Sequence, residues 1–131
     1  MSIKRTMVGT CIAAVAAAVA LTIAPAGLAK DGDVLVRGTC TGSSSSKLKL
    51  SEEDGAIEVE FEVDQNRNGV GWSVALFRGS TRIARTTRVT RGPSGSFEAR
   101  FVVANRAGTD TIRARGVSRS GEVCTARASF G

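Results

Sequence analysis

The sequence predicts an all-β fold, two antiparallel sheets packed as a sandwich of seven or eight short strands, and three observations predict it. From Ile57 to Asp64 every second residue is apolar and every other one is an acid. Strand side chains alternate between two faces, so Ile57, Val59, Phe61 and Val63 share one face while Glu58, Glu60, Glu62 and Asp64 share the other, an arrangement that a helix would scramble. Several later stretches repeat that period of two, and no window of helical periodicity occurs after about residue 30. Short turn segments rich in Gly, Ser and Asn separate the stretches at the spacing of an all-β domain.

Taken in order, Val34 to Gly38 is a short strand with Val34 and Val36 on one face, and Cys40 continues that face by parity. The small-residue run Thr41 to Ser46 is expected to be a flexible crossing loop. Lys47 to Ser51 alternates, with Leu48 and Leu50 inward, and Glu52-Glu53-Asp54-Gly55 reads as a turn into the Ile57 strand. After the polar segment Gln65 to Gly71, Trp72 to Phe77 is a second clear strand with Trp72, Val74 and Leu76 inward and Phe77 outward. Gly79-Ser80 supplies a hairpin turn, because a glycine at its first central position tolerates the required backbone. Arg82 to Thr90 returns as a weakly apolar strand suited to a sheet edge. Phe97, Ala99, Phe101 and Val103 form the next inward set. In Asp110 to Ser118, Ile112, Ala114 and Gly116 oppose Arg113, Arg115 and Val117, and Cys124, Ala126, Ala128 and Phe130 share one parity in the last strand.

The beginning of the chain has another character. Lys4 and Arg5 precede an apolar run from Cys11 to Ala24, and small residues stand at Gly27 and Ala29. That layout is a secretory leader over 1–29, cleaved after Ala29 or, as an alternative, after Ala26. The apolar run is shorter than the roughly 20 residues of a spanning helix, which disfavours a membrane anchor, and no transmembrane segment follows it. Removing 29 residues from 131 leaves 102, one domain (30–131). The expected location is secreted, extracellular or bound at the cell surface. Export makes the remaining pair, Cys40 and Cys124, a candidate disulfide. A metal site on these two sulfurs would lack further His or Cys ligands, since the chain has no His.

From Gly71-Trp72-Ser73-Val74-Ala75-Leu76-Phe77-Arg78-Gly79-Ser80-Thr81-Arg82-Ile83-Ala84 onward the order of elements resembles the immunoglobulin-like and fibronectin type III-like superfamily, with Trp72 as the core tryptophan of a third strand. Ala107 to Arg115 and Val123 to Phe130 are similar to the last hairpin of such domains, and Ile57 to Asp64 fits as the second strand. The chain also resembles small exported proteins of actinomycetes. The resemblance implies a single immunoglobulin-like antiparallel β-sandwich after the leader. Two features depart from it: a chain without Tyr has no corner tyrosine, and Cys40 to Cys124 would join the first strand to the last rather than the second to the sixth.

Charge is segregated. Glu52 to Asp64 holds seven acids and no base, whereas Gln65 to Gly131 holds twelve arginines against Glu98, Asp110 and Glu122. Glu58, Glu60 and Glu62 are expected to face Arg100 and either Arg88 or Arg85 in a cross-strand lattice. On the opposite sheet Phe77, Arg78, Arg113, Arg115 and Arg127 form the preferred interaction surface, since guanidinium groups beside an aromatic ring can hold anionic polymers. A solvated arginine ladder fits the same pattern.

Asp64, Asn66 and Asn68 match the opening half of a calcium loop, but position twelve is Ala75 and Arg67 adds positive charge, so a turn rich in Asn and Gly is the competing reading. No metal and no cofactor are expected. With no His, no Tyr and no unpaired Cys after the leader, and with the acids on one exposed strand, the chain is expected not to be an enzyme. The expected role is a non-catalytic binding or cell-surface module for an anionic cell-envelope polymer or an acidic protein, without specific nucleic acid binding. The alternatives are a structural or self-assembling envelope protein and a secreted protease inhibitor acting through Arg91 to Ser96.

Overall fold

A computed structural model describes residues 32–131, and the expected leader over 1–29 lies outside the described residues. Nine strands follow in order: β1 (Val34–Arg37), β2 (Thr39–Cys40), β3 (Ser45–Glu53), β4 (Ala56–Asp64), β5 (Gly71–Arg78), β6 (Thr81–Val89), β7 (Ser96–Ala104), β8 (Asp110–Ser118) and β9 (Val123–Phe130). They form two antiparallel sheets, β1-β3-β4-β7 and β2-β9-β8-β5-β6, and no helix occurs among the described residues.

Alternation builds the core. Leu48, Leu50, Ile57, Val59, Phe61 and Val63 of the first sheet meet Trp72, Val74, Leu76, Ile112 and Ala114 of the second, all of them buried. Trp72 packs at a ring-centroid distance of 5.7 Å from Phe97 of the facing sheet, and its Nε1–H donates to Gln65 Oε1 at 3.0 Å. The tryptophan thereby buries its rings without orphaning its polar atom. Room for it comes from Gly116, where an added Cβ would stand 3.2 Å from Phe61 and 3.3 Å from Trp72.

The first strand is one extended run split between the two sheets. β1 pairs with β3, the chain passes Gly38, and β2 then pairs with β9. Gly38 donates its N–H to the Ser46 carbonyl at 2.9 Å, and any side chain there would collide with Ser46 Oγ and the Thr125 carbonyl. Parity survives the switch, so Cys40 faces inward directly opposite Cys124, to which it is disulfide-bonded with a Cα–Cα distance of 4.0 Å.

Three expectations need correction. The strands number nine, because the sheet switch divides the first into two. The serine run is not a flexible loop throughout: Ser45 and Ser46 belong to β3, and Ser44 and Ser46 are buried, since small side chains are needed where the switching strand passes. Glu52 and Glu53 continue β3, so the turn shrinks to Asp54-Gly55, where both residues have positive φ.

Candidate functional site

The outer face of the second sheet is built by four strands in register. Ala75 stands opposite Arg85 on one side and Arg115 on the other, so that Arg85, Ala75, Arg115 and Thr125 form one row across β6, β5, β8 and β9. The next row is Arg82, Phe77, Arg113 and Arg127. Five arginines thus share a face whose other outward residues are Phe77 and Ser, Thr, Ala, Gly and Val side chains, with no acid on it.

Arg82 and Arg85 reach this face together through an irregularity. They are three residues apart, and an unbroken strand would send them to opposite sides. The β5–β6 register shifts at Leu76/Phe77, so Leu76 faces Ala84 whereas Phe77 faces Arg82, and Ile83 is the extra residue. Such a bulge reverses the parity of the residues beyond it.

Between β6 and β8 the face is concave. Before Phe77 the outward residues of β5 are Gly71, Ser73 and Ala75, too small to fill the space between the side chains of the neighbouring strands. A groove of about 470 Å³ lies there, with Ser73 and Ala75 as its floor and Arg82, Arg85, Arg115 and Val117 as its walls. It runs on past Ser73, Thr87 and Val117 into a second hollow of about 540 Å³ that Arg119 borders beside Gly71. At the other end, the Arg113 guanidinium lies 4.3 Å above the Phe77 ring, a cation–π contact that holds the ring and its cation together.

The ion pairs found among the described residues use Lys47, Lys49, Arg78 and Arg100, and none involves the five arginines of this face. Of the residues singled out from sequence, Phe77, Arg113, Arg115 and Arg127 stand together there. Arg78 does not join them. It sits past the bulge at the end of β5, its Nε 3.0 Å from Asp110 Oδ1 and its Nη2 donating to the Ala104 carbonyl at 2.6 Å. Arg82 and Arg85 take its place, and the Gly79-Ser80 turn was the available signal, since a hairpin there pairs β6 with β5. What the sequence did not disclose is the bulge.

The three glutamates of the β4 ladder are paired within their own sheet. Lys47 Nζ is 3.6 Å from Glu62, Lys49 Nζ is 3.3 Å from Glu60, and Arg100 Nη2 is 2.7 Å from Glu53 and also bonds Glu58. The expected partners Arg88 and Arg85 are elsewhere. Arg88 points inward at the edge and donates through Nε to the Glu98 carbonyl at 3.3 Å, and Arg85 belongs to the other sheet. Glu58 and Glu53 share a side-chain hydrogen bond that, with Arg100, holds the Glu58 carboxyl down at about 2. Glu53 is shifted upward, chiefly by the same bond.

Two other candidates have a local structural explanation. Asp64 Oδ1 accepts the Asn66 N–H at 3.0 Å in an Asx turn, with Asn66 at φ 55°. The Arg91 to Ser96 segment is a closed turn: Arg91 N–H donates to the Ser96 carbonyl at 2.9 Å, and Gly95, at φ 67°, lies against the backbone of Arg67. It offers no free extended main chain of the kind a partner's strand pairs with. No family model and no curated protein sequence matches this chain.

Proposed function

We propose that this chain is an exported, non-catalytic binding module that holds an anionic partner of the cell envelope on the arginine face of its second sheet. The supporting observation is the pairing pattern. Five arginines take no part in the ion pairs found among the described residues, and three of them, Arg82, Arg85 and Arg115, line a concave strip of small side chains, while Glu53, Glu58, Glu60 and Glu62 of the first sheet have basic neighbours. Guanidinium groups keep their charge at any physiological pH and present forked donors suited to oxyanions.

The strand arrangement supports an immunoglobulin-like, and more closely a fibronectin type III-like, reading. β3, β4 and β7 lie against β6, β5, β8 and β9, and β1 and β2 add an N-terminal extension. The departures are the absence of a corner tyrosine and a disulfide between two strands of one sheet. A disulfide in so small a domain suits an extracellular compartment. The self-assembling alternative, acidic face on basic face, draws less support because Lys47, Lys49 and Arg100 already pair with Glu53, Glu58, Glu60 and Glu62.

The test is retention on immobilised polyphosphate at low and high salt. Wild type is expected to bind at low salt and elute as salt rises, because displaced counterions drive the association. Arg85→Ala combined with Arg115→Ala should abolish retention, and Arg100→Ala, on the opposite sheet, should leave it intact. Binding indifferent to salt, or lost equally in all variants, rejects the proposal.

A further inference from the structure

The groove along β5 restricts what kind of polyanion can lie on the face, and the inference drawn from it rests on that face being the binding surface. Its walls are β6 and β8, two strand spacings apart, roughly 9 to 10 Å between backbones. Arginines stand on both walls at two successive levels, Arg85 and Arg115 beside Ala75, then Arg82 and Arg113 beside Phe77. Levels two residues apart along a strand are separated by about 6.6 Å. Toward the start of β5 the walls are neutral at Thr87 and Val117, and Arg119 follows at the far end.

A charge at the centre of such a channel can be reached from both sides, whereas a charge hanging to one side meets one wall only. Phosphodiester polymers carry their charge in the main chain, with ester oxygens along the chain and the two free oxygens directed away from it. Polyuronates carry planar carboxylates as pendant groups. We infer that the groove takes an extended polyol-phosphate chain, with one phosphate at the Ala75 level bridging Arg85 and Arg115 and the next directed to Arg82, where Phe77 closes the end of the groove.

Nucleic acids also carry main-chain phosphates, but non-specific single-strand binding relies on open aromatic faces for the bases. Phe77 is the one aromatic on this face, and Arg113 lies across its ring at 4.3 Å. The other half of the groove is walled by Thr87, Val89 and Val117 with Arg119 at its far end, and Trp72 beneath it is buried, so it offers a base no open stacking plane.

Ala75 is the discriminating position, because it is half-buried on the outer face between Arg85 and Arg115 and contributes nothing to the core. Ala75→Glu would set an internal carboxylate in the place of the bound phosphate, and Ala75→Gln would add the same bulk without charge. The experiment measures affinity by calorimetry for a glycerol-phosphate oligomer, an oligogalacturonate of equal charge number and oligo(dT), with circular dichroism confirming that each variant folds. Expected are the tightest binding to the glycerol-phosphate oligomer, a weakening of about ten- to a hundredfold in Ala75→Glu, the loss of a charge-assisted contact, and a smaller loss in Ala75→Gln. Equal affinity for the glycerol-phosphate oligomer and the galacturonate, unchanged in Ala75→Glu, overturns the groove inference while leaving the arginine face standing. Preference for oligo(dT) replaces the polyol chain by nucleic acid and overturns it too. If none of the three binds wild type at low salt, both readings fall together.

Discussion

Arg78 and Asp110 form a nearly buried ion pair between the end of β5 and the start of β8, with Nε 3.0 Å from Oδ1 and side chains 11% and 5% exposed. The pair ties three elements together. Asp110 Oδ2 accepts the Arg106 N–H at 2.7 Å, so the carboxylate also fixes the turn before β8, and Arg78 Nη2 reaches the last carbonyl of β7. An arginine expected on the binding surface is thus a clamp at one end of the sandwich.

Removing either partner leaves a charge in a site with little water, and single losses of this kind cost about 3 to 5 kcal/mol. Arg78→Ala and Asp110→Ala are each expected to lower unfolding free energy on that scale in urea titrations, and the double variant should lose less than the sum of the two. Additive losses would mean that the groups act independently. Affinity for polyphosphate, measured well below the unfolding transition, should be unaffected in Arg78→Ala.

The Cys40–Cys124 bond joins residues 84 apart in sequence and fastens the short β2 to β9. A cross-link over so long a loop removes much of the freedom of the unfolded chain, and loss of a native disulfide from a small domain costs about 2 to 5 kcal/mol. Thermal unfolding with and without reductant should show a clear fall in Tm on reduction, matched by a Cys40→Ala, Cys124→Ala double variant. Because β2 is only two residues long, hydrogen exchange should rise first at its amides after reduction.

The inward faces were legible because side-chain period carries them directly, the edge position of β6 because its composition is weakly apolar, and the partnership of β4 with β7 only through the strand order that the immunoglobulin-like resemblance implies. Ile57 to Val63 and Phe97 to Val103 could not alternate as they do unless each buried one face. The sheet switch at Gly38 was not legible, because parity is the same whether a strand stays in its sheet or crosses to the facing one. The ion pairing was misassigned for a related reason. Alternation says which face Glu60 occupies but not which strand lies beside it, and β3 brought Lys49 there. At the arginine face, Arg113, Arg115 and Arg127 followed from parity, whereas Arg82 and Arg85 required the bulge at Ile83.

Gly116 is buried in the core, opposite Val74 and Cys124, with Phe61 and Trp72 over it. A methyl group placed 3.2 Å and 3.3 Å from those rings forces close-packed neighbours to move. Gly116→Ala should therefore destabilise the fold by about 1 to 3 kcal/mol, the cost of overpacking a filled core. Trp72 is the chain's only tryptophan, so a shift of its emission should accompany the loss. An unchanged spectrum with unchanged stability would mean that the core has slack at this position.

The Glu53, Glu58 and Arg100 cluster gives the first sheet a pH dependence whose sign differs between its two acids. Glu58, held at about 2 by the hydrogen bond from Glu53 and by Arg100, contributes stability that is present above the ordinary carboxylate range. That contribution is lost as pH falls from there toward 2. Glu53, shifted upward mainly by the bond to Glu58, favours the fold while protonated and loses that contribution as pH rises through its own titration. Carboxyl NMR titration should show Glu58 titrating well below Glu53. Glu53→Ala should move Glu58 upward, and Arg100→Ala should move it the same way. Acid unfolding of Arg100→Ala should accordingly begin at higher pH than in wild type. Coincident titration of the two carboxyls in the folded protein would show that the shared proton and the arginine do not act as described.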